Sequence, residues 1–114
     1  MDVSIISPVF NEKDNLEPFI KQVSGALSKE AWIWELILVD DGSDDGSFDL
    51  LQKLSKSQKN LRIISLSKNF GQTSAIQAGF DNASGKYLVT LDSDLQNDPK
   101  DIPRLLHKLI AENL

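Results

Sequence analysis

Four short apolar runs, Val3–Ser7, Glu35–Val39, Arg62–Leu66 and Tyr87–Leu91, punctuate the chain, and each is followed by polar or glycine-rich residues and then by a helical pattern. The runs are close to continuous in Val, Ile and Leu, with little alternation, which is how strands covered by helices on both faces read. The pattern predicts β-α repeated four times and a mostly parallel sheet with right-handed crossovers. The expected fold is a Rossmann-like, three-layer α/β/α domain whose ligand crevice lies beyond the carboxyl ends of the strands.

The helices between the runs carry their own signals. In the first, Leu16, Phe19, Ile20, Val23 and Leu27 follow helical spacing, Asp14 and Glu17 have the spacing of a capping box, and Pro18 falls in the opening turn, where its missing N–H removes no helical bond. The second is expected to begin near Ser47, with Phe48, Leu51 and Leu54 inward. The third, from about Thr73, is rich in small residues (Ala75, Ala78, Gly79, Ala83), which predicts close packing on the sheet or an approach of backbone to ligand. The last is expected to begin between Asp98 and Ile102, with Leu105, Leu106, Leu109 and Ile110 as its apolar stripe.

Length and charge narrow the picture. A chain of 114 residues is long enough to bury a core as one domain. With 40% hydrophobic and 25% charged residues it is too apolar for a disordered segment. Twelve basic against seventeen acidic side chains give a formal charge of -5, which disfavours nucleic acid as a partner and means that an anionic substrate needs a counter-charge, most simply a metal ion. The absence of cysteine excludes disulfides and thiolate metal sites and fits a reducing, cytoplasmic setting. No basic leader precedes the first apolar run, and nothing approaches the roughly 18 apolar residues of a membrane span. The sequon Asn82-Ala83-Ser84 reads as a chance match. An open α/β enzyme needs further residues after its fourth βα unit to close the substrate side, so residues 1–114 are expected to be the N-terminal part of a longer catalytic domain.

Polar residues gather after the first, second and fourth runs: Ser7-Pro8-Val9-Phe10-Asn11-Glu12, Asp40 to Ser47, and Asp92 to Pro99. In a parallel sheet all three stretches fall on one edge. Asp92 and Asp94 stand two apart, so in extended backbone they point the same way and either hold one hard cation, with Gln96 adding an amide oxygen, or shape the turn into the last helix, a role that suits Asp98 better. With no His or Cys nearby, the cation would be Mg²⁺ or Mn²⁺. A calcium loop counted from Asp92 fails, having Asn97 where glycine is needed and Pro103 where glutamate is needed, and neither familiar glycine-rich phosphate loop occurs. Asp40, at the strand end, suits a base N–H or a ribose hydroxyl; the other acids of its loop are expected to be solvent-facing turn and cap residues. Lys68 either touches phosphate or turns the chain. His107 is expected on the surface, and Trp32 and Trp34 in packing.

Together these segments, with Lys68-Asn69-Phe70-Gly71-Gln72, Ala78-Gly79-Phe80-Asp81 and Gly85-Lys86-Tyr87, resemble glycosyltransferase family 2, and within it the polyprenyl-phosphate glycosyltransferases. The resemblance runs across nearly the whole chain. It implies a GT-A fold, a nucleotide diphosphate sugar (UDP- or GDP-linked) as donor and a lipid phosphate as acceptor, with inversion at the anomeric carbon. It implies that Pro8, Phe10 and Glu12, with Val9 between them, line the nucleoside pocket and that Asp40 contacts the base. Asp92 and its neighbour Ser93 would lie near the ribose, and Asp92, Asp94 and Gln96 would hold the metal, through which Asp92 and Asp94 serve catalysis. Relatives often carry Arg where Lys68 stands, and His and Pro where Asn97 and Asp98 stand. The full-length protein is expected at the cytoplasmic face of a membrane, and self-association into a homo-oligomer is left open. Two other readings stay open: a family 2 transferase acting on a saccharide hydroxyl, and a non-catalytic nucleotide-sugar-binding module. A receiver-type phosphoacceptor domain would need its acidic pair after the first strand, where Ser7-Pro8 stands.

Overall fold

The computed structural model describes residues 1–93 and 101–112. Elements alternate as the apolar runs predict: β1 (Val3–Val9), α1 (Lys13–Leu27), β2 (Trp34–Asp40), α2 (Ser47–Ser55), β3 (Leu61–Ser65), α3 (Gln72–Asn82), β4 (Tyr87–Thr90) and α4 (Ile102–Glu112). The described strands form one parallel sheet in the order β3-β2-β1-β4. The chain progresses outward from β1 to β3 and then returns across it to β4, which makes the β1/β4 boundary the topological switch point where open α/β sheets bind ligands.

Strand periodicity sends alternate side chains into two cores. On one face Val3, Ile5 and Val9 of β1 and Leu36 and Leu38 of β2 meet the buried stripe of α1, Leu51 of α2, and Ile102 and Leu106 of α4. On the other, Ile6, Ile37 and Val39 meet Ala75, with Ala78 and Ala83 packed alongside. The small residues of α3 belong to this second core: a Cβ on Gly79 would run into the Ile6 side chain, so the helix approaches the sheet more closely than an alanine allows. Of the two readings of that stripe, packing against the sheet is the one observed at Gly79.

β1 continues past the predicted Ser7 to Val9 and takes in Pro8. Proline is tolerated in this central strand because of its register. The last β1–β4 pair is Ile6–Thr90, and Ile6 O accepts from Leu91 N at 3.0 Å while Val9 O accepts from Asp41 N at 2.8 Å. Alternation therefore turns the peptide of Pro8 toward β4 beyond its final pair, where no ladder N–H is needed.

The expected capping box on α1 does not form. The helix begins at Lys13 with Glu12 in the cap position and no side-chain cap bond, so Asp14 already lies inside the first turn. The neighbouring loop does the work instead: Lys13 N donates to Asp45 Oδ2 at 3.2 Å, Asp44 N donates to Asn11 Oδ1 at 2.9 Å, and Asn11 N donates to Ser43 Oγ at 2.9 Å. Asn11 takes a left-handed φ of 53°, which its short polar side chain tolerates. His107 is exposed, as expected, with Nε2 3.2 Å from Glu30 Oε2 and its ring 4.8 Å from that of Trp32.

At the other end of the sheet, buried Glu35 accepts from Ser4 Oγ (2.6 Å), Ser84 N (2.8 Å) and Arg62 Nη1 (2.9 Å), while Ser4 Oγ accepts from Gly85 N (2.8 Å). This carboxylate thus ties β1, β2, β3 and the turn into β4 together. Burial pushes its carboxyl up, but the bonds from Ser4, Ser84 and Arg62 outweigh that and hold it below the ordinary range.

Candidate active site

At the carboxyl end of the sheet lies a hollow of about 340 Å³ lined by Pro8, Val9, Phe10, Glu12, Asp41, Asn69, Gly71, Gln72, Asp92 and Ser93. Pro8, Val9, Phe10, Glu12, Asp92 and Ser93, all expected site residues, are therefore brought together across the switch point. The end of β1 is fastened to the segment after β4 by Ser93 Oγ, which donates to Pro8 O at 3.1 Å; this bond buries Ser93 and sets Asp92 at the rim. Phe10 is 45% exposed, an apolar surface open for stacking. Glu12 Oε2 accepts from Asn15 Nδ2 at 2.7 Å.

Of the two adjacent acids at the end of β2, Asp41 lines the hollow and Asp40 does not. Asp40 is the last residue of β2 and, by the period of two, shares a face with Leu36 and Leu38; it is buried, lies off the hollow's lining, and its Oδ1 has no partner among the described residues. Asp41, one residue on, lines the hollow. The expectation that it faces solvent fails: it is 3% exposed, and its Oδ1 and Oδ2 accept from Phe70 N (2.8 Å) and Gly71 N (3.0 Å). Two charge-assisted bonds stabilise a buried carboxylate that would otherwise be costly. They also clamp the loop before α3 onto the loop after β2. Gly42 completes the clamp, since its φ of 72° and the approach of the Lys68 and Asn69 backbone exclude a Cβ.

Asp45 is the other acid of that loop with a defined task. Its Oδ1 accepts from Ser47 N (2.9 Å) and Ser47 Oγ (2.5 Å) at the start of α2. Burial pushes its carboxyl up, but the Ser47 and Lys13 bonds outweigh that and hold it low. Lys68 also lies off the lining, with Nζ 5.2 Å over the Phe70 ring.

Asn69, Gly71 and Gln72 line the hollow without having been assigned a role from the sequence. Their signal is the glycine-preceded start of α3: no side chain caps that helix, so its first N–H groups and dipole present partial positive charge toward the hollow. Otherwise the lining is acidic. Glu12, Asp41 and Asp92 face the same space, and no lysine or arginine is among the lining residues described. A diphosphate would be repelled there without a cation. Among the described residues no group of three His, Cys, Asp or Glu side chains is arranged to hold a metal. Asp92 offers one oxygen, Oδ2, that accepts no hydrogen bond among the described residues, and the chemistry of that donor fits a hard ion such as Mg²⁺ or Mn²⁺. Asp94 and Gln96, the other expected ligands, lie outside the described residues.

The comparisons define the class. The Glycosyl transferase family 2 profile matches residues 4–114, and the chain belongs to this family. It is 44% identical over its full length to the dodecaprenyl-phosphate galacturonate synthase of Rhizobium johnstonii, covering 34% of that protein. It is 46% identical, over 92% of its length, to the undecaprenyl-phosphate 4-deoxy-4-formamido-L-arabinose transferase of Pectobacterium atrosepticum, covering 32% of it. The chain thus spans about a third of the length of these relatives. Among solved structures, the mannosyltransferase PcManGT of Pyrobaculum calidifontis, in complex with GDP-Man and Mn²⁺, matches 87% of the chain and 29% of its own with a TM-score of 0.73 at 20% identity, a likeness of fold. S. aureus TarS 1-349 in complex with UDP-GlcNAc matches 98% of the chain and 32% of its own with a TM-score of 0.69 at 25% identity. The fold is that of the glycosyltransferase domains it matches. Among the described residues no helix is long and apolar enough to cross a membrane.

Proposed function

We propose that the chain is the donor-binding part of an inverting, metal-dependent glycosyltransferase that moves a sugar from a UDP- or GDP-linked donor to a polyprenyl phosphate. The observation that carries this reading is the hollow at the switch point, where Pro8, Phe10, Glu12, Asp41 and Asp92 converge in a chain 44–46% identical to transferases named for polyprenyl-phosphate products. Phe10 and Pro8 supply apolar walls for a nucleobase, and Glu12 and Asp41 supply carboxylates that accept from base or ribose donors. Asp92, with Asp94 and Gln96, would hold Mg²⁺ or Mn²⁺. When bound, that ion offsets the charge that builds on the leaving diphosphate.

In the reaction an oxygen of the lipid phosphate forms the new bond to the anomeric carbon, the bond from that carbon to the donor phosphate breaks, and the nucleoside diphosphate leaves with the electron pair. An acceptor that is already anionic needs no strong general base. Such an acceptor sits in a membrane, which supports a place for the full-length protein at the cytoplasmic membrane face.

The test supplies the full-length gene product with labelled UDP- and GDP-sugars, undecaprenyl phosphate and Mn²⁺. Label from one donor passing into the organic-extractable lipid supports the proposal. Label transferred to a saccharide instead, or to no acceptor, contradicts it.

A further inference from the structure

Asp92 is tied to the protein by a side chain as well as through its neighbours. Gln72 Nε2 donates to Asp92 Oδ1 at 3.3 Å, across twenty residues of sequence. Gln72 is the first residue of α3, directly after Gly71, whose φ of 102° turns the chain into the helix and whose N–H is held by Asp41 Oδ2. A continuous series of contacts therefore runs from the end of β2 through the start of α3 to the end of β4: Asp41, Gly71, Gln72, Asp92. Pro8, Gln72 and Asp92 also line a second hollow of about 280 Å³ against Ile76 and Thr90, so the Gln72–Asp92 contact lies where the two spaces meet.

We propose that Gln72 is a positioning residue: it engages Oδ1 of Asp92 and so leaves Oδ2 for the metal–donor complex, a role that rests on the donor-site reading above. A primary amide suits this task. It donates to a carboxylate without neutralising it, whereas a lysine or arginine at the same place would compete with the cation. Among the described residues its carbonyl oxygen has no hydrogen-bond partner at the junction of the hollows. An exposed contact between two polar side chains contributes little to folding, so its purpose is better sought in orientation than in stability. Loss of partners that orient a metal-binding side chain weakens metal affinity by roughly 10- to 100-fold.

The experiment is an NMR titration of ¹⁵N-labelled protein with UDP and with GDP to millimolar concentration, each with Mg²⁺, on wild type, Gln72→Leu and Gln72→Asn. Unfolding midpoints are recorded in parallel, and the Gln72 side-chain amide is followed in wild type and Asp92→Ala. The expected result is binding of one nucleotide by wild type and roughly tenfold or greater weakening in both variants. Midpoints are expected to stay near that of wild type, and the Gln72 amide resonances to move in Asp92→Ala. Asparagine, one methylene shorter, does not reach and gives no rescue. Equal affinity in wild type and Gln72→Leu, or Gln72 amide resonances unmoved by Asp92→Ala, overturns the positioning role and leaves the donor site standing. Failure of wild type to bind either nucleotide overturns the donor reading together with the role that rests on it.

Discussion

Asp41 Oδ2 accepts a hydrogen bond from Gly71 N at 3.0 Å, joining the loop after β2 to the residue that starts α3. With the parallel bond from Phe70 N, this makes a buried carboxylate the fastening of one wall of the hollow. Asp41→Asn retains one acceptor and turns an NH₂ group toward a backbone donor. The expected cost is about 1–3 kcal/mol, from a buried N–H left without an acceptor. Chemical denaturation measures it, and nucleotide affinity is expected to fall with it because Asn69, Gly71 and Gln72 lose their anchor. A variant as stable as wild type would show that the clamp is dispensable.

Gly79 faces Ile6 with no room for a Cβ. Gly79→Ala is expected to destabilise by about 1–3 kcal/mol through overpacking, despite alanine's better helix propensity. Ile6→Ala alone leaves a cavity. Combined with Gly79→Ala it is expected to cost clearly less than the sum of the two single changes, because the methyl enters space that the isoleucine vacates. A thermodynamic cycle that is additive would place the strain elsewhere.

Glu35 sets an acid limb on stability. Its folded pKa lies below the ordinary carboxylate value, so its contribution is fully present above about pH 4–5 and is lost as pH falls through the depressed folded value. Glu35→Gln is expected to flatten the fall in stability over that acid range. Glu35→Ala, which leaves Ser4 Oγ and the Ser84 N–H without their acceptor, is expected to cost about 1–3 kcal/mol at neutral pH, since Arg62 is partly solvated and keeps its bond to Asn82 O. Unfolding midpoints of wild type and both variants, recorded from pH 3 to pH 7, check the sign; a wild-type profile as flat as that of Glu35→Gln would contradict it.

How much of this was legible in the sequence depends on the range of the interactions. The positions of the strands were, because Val, Ile and Leu runs mark them locally, although burial on both faces holds only for β1 and β2 and the edge strands β3 and β4 are partly exposed; so was the gathering of Pro8, Phe10, Glu12 and Asp92 on one sheet edge, which follows from parallel topology alone. The choice between Asp40 and Asp41 was not. Adjacent acids look alike in sequence, and what separates them is strand phase and two backbone N–H groups about thirty residues downstream. The same holds for α1: Asp14 and Glu17 satisfy a local capping rule, but contacts from Ser43, Asp44 and Asp45, reachable only in the folded chain, accompany a helix start two residues earlier.

The central claim is a metal-assisted donor site at Asp92, and calorimetric titration of UDP-sugars and GDP-sugars, with and without Mn²⁺, into wild type and Asp92→Ala tests it most directly. The account predicts saturable binding of one nucleotide class that requires Mn²⁺ and weakens roughly tenfold or more in Asp92→Ala. Donor binding indifferent both to the metal and to the substitution would contradict it.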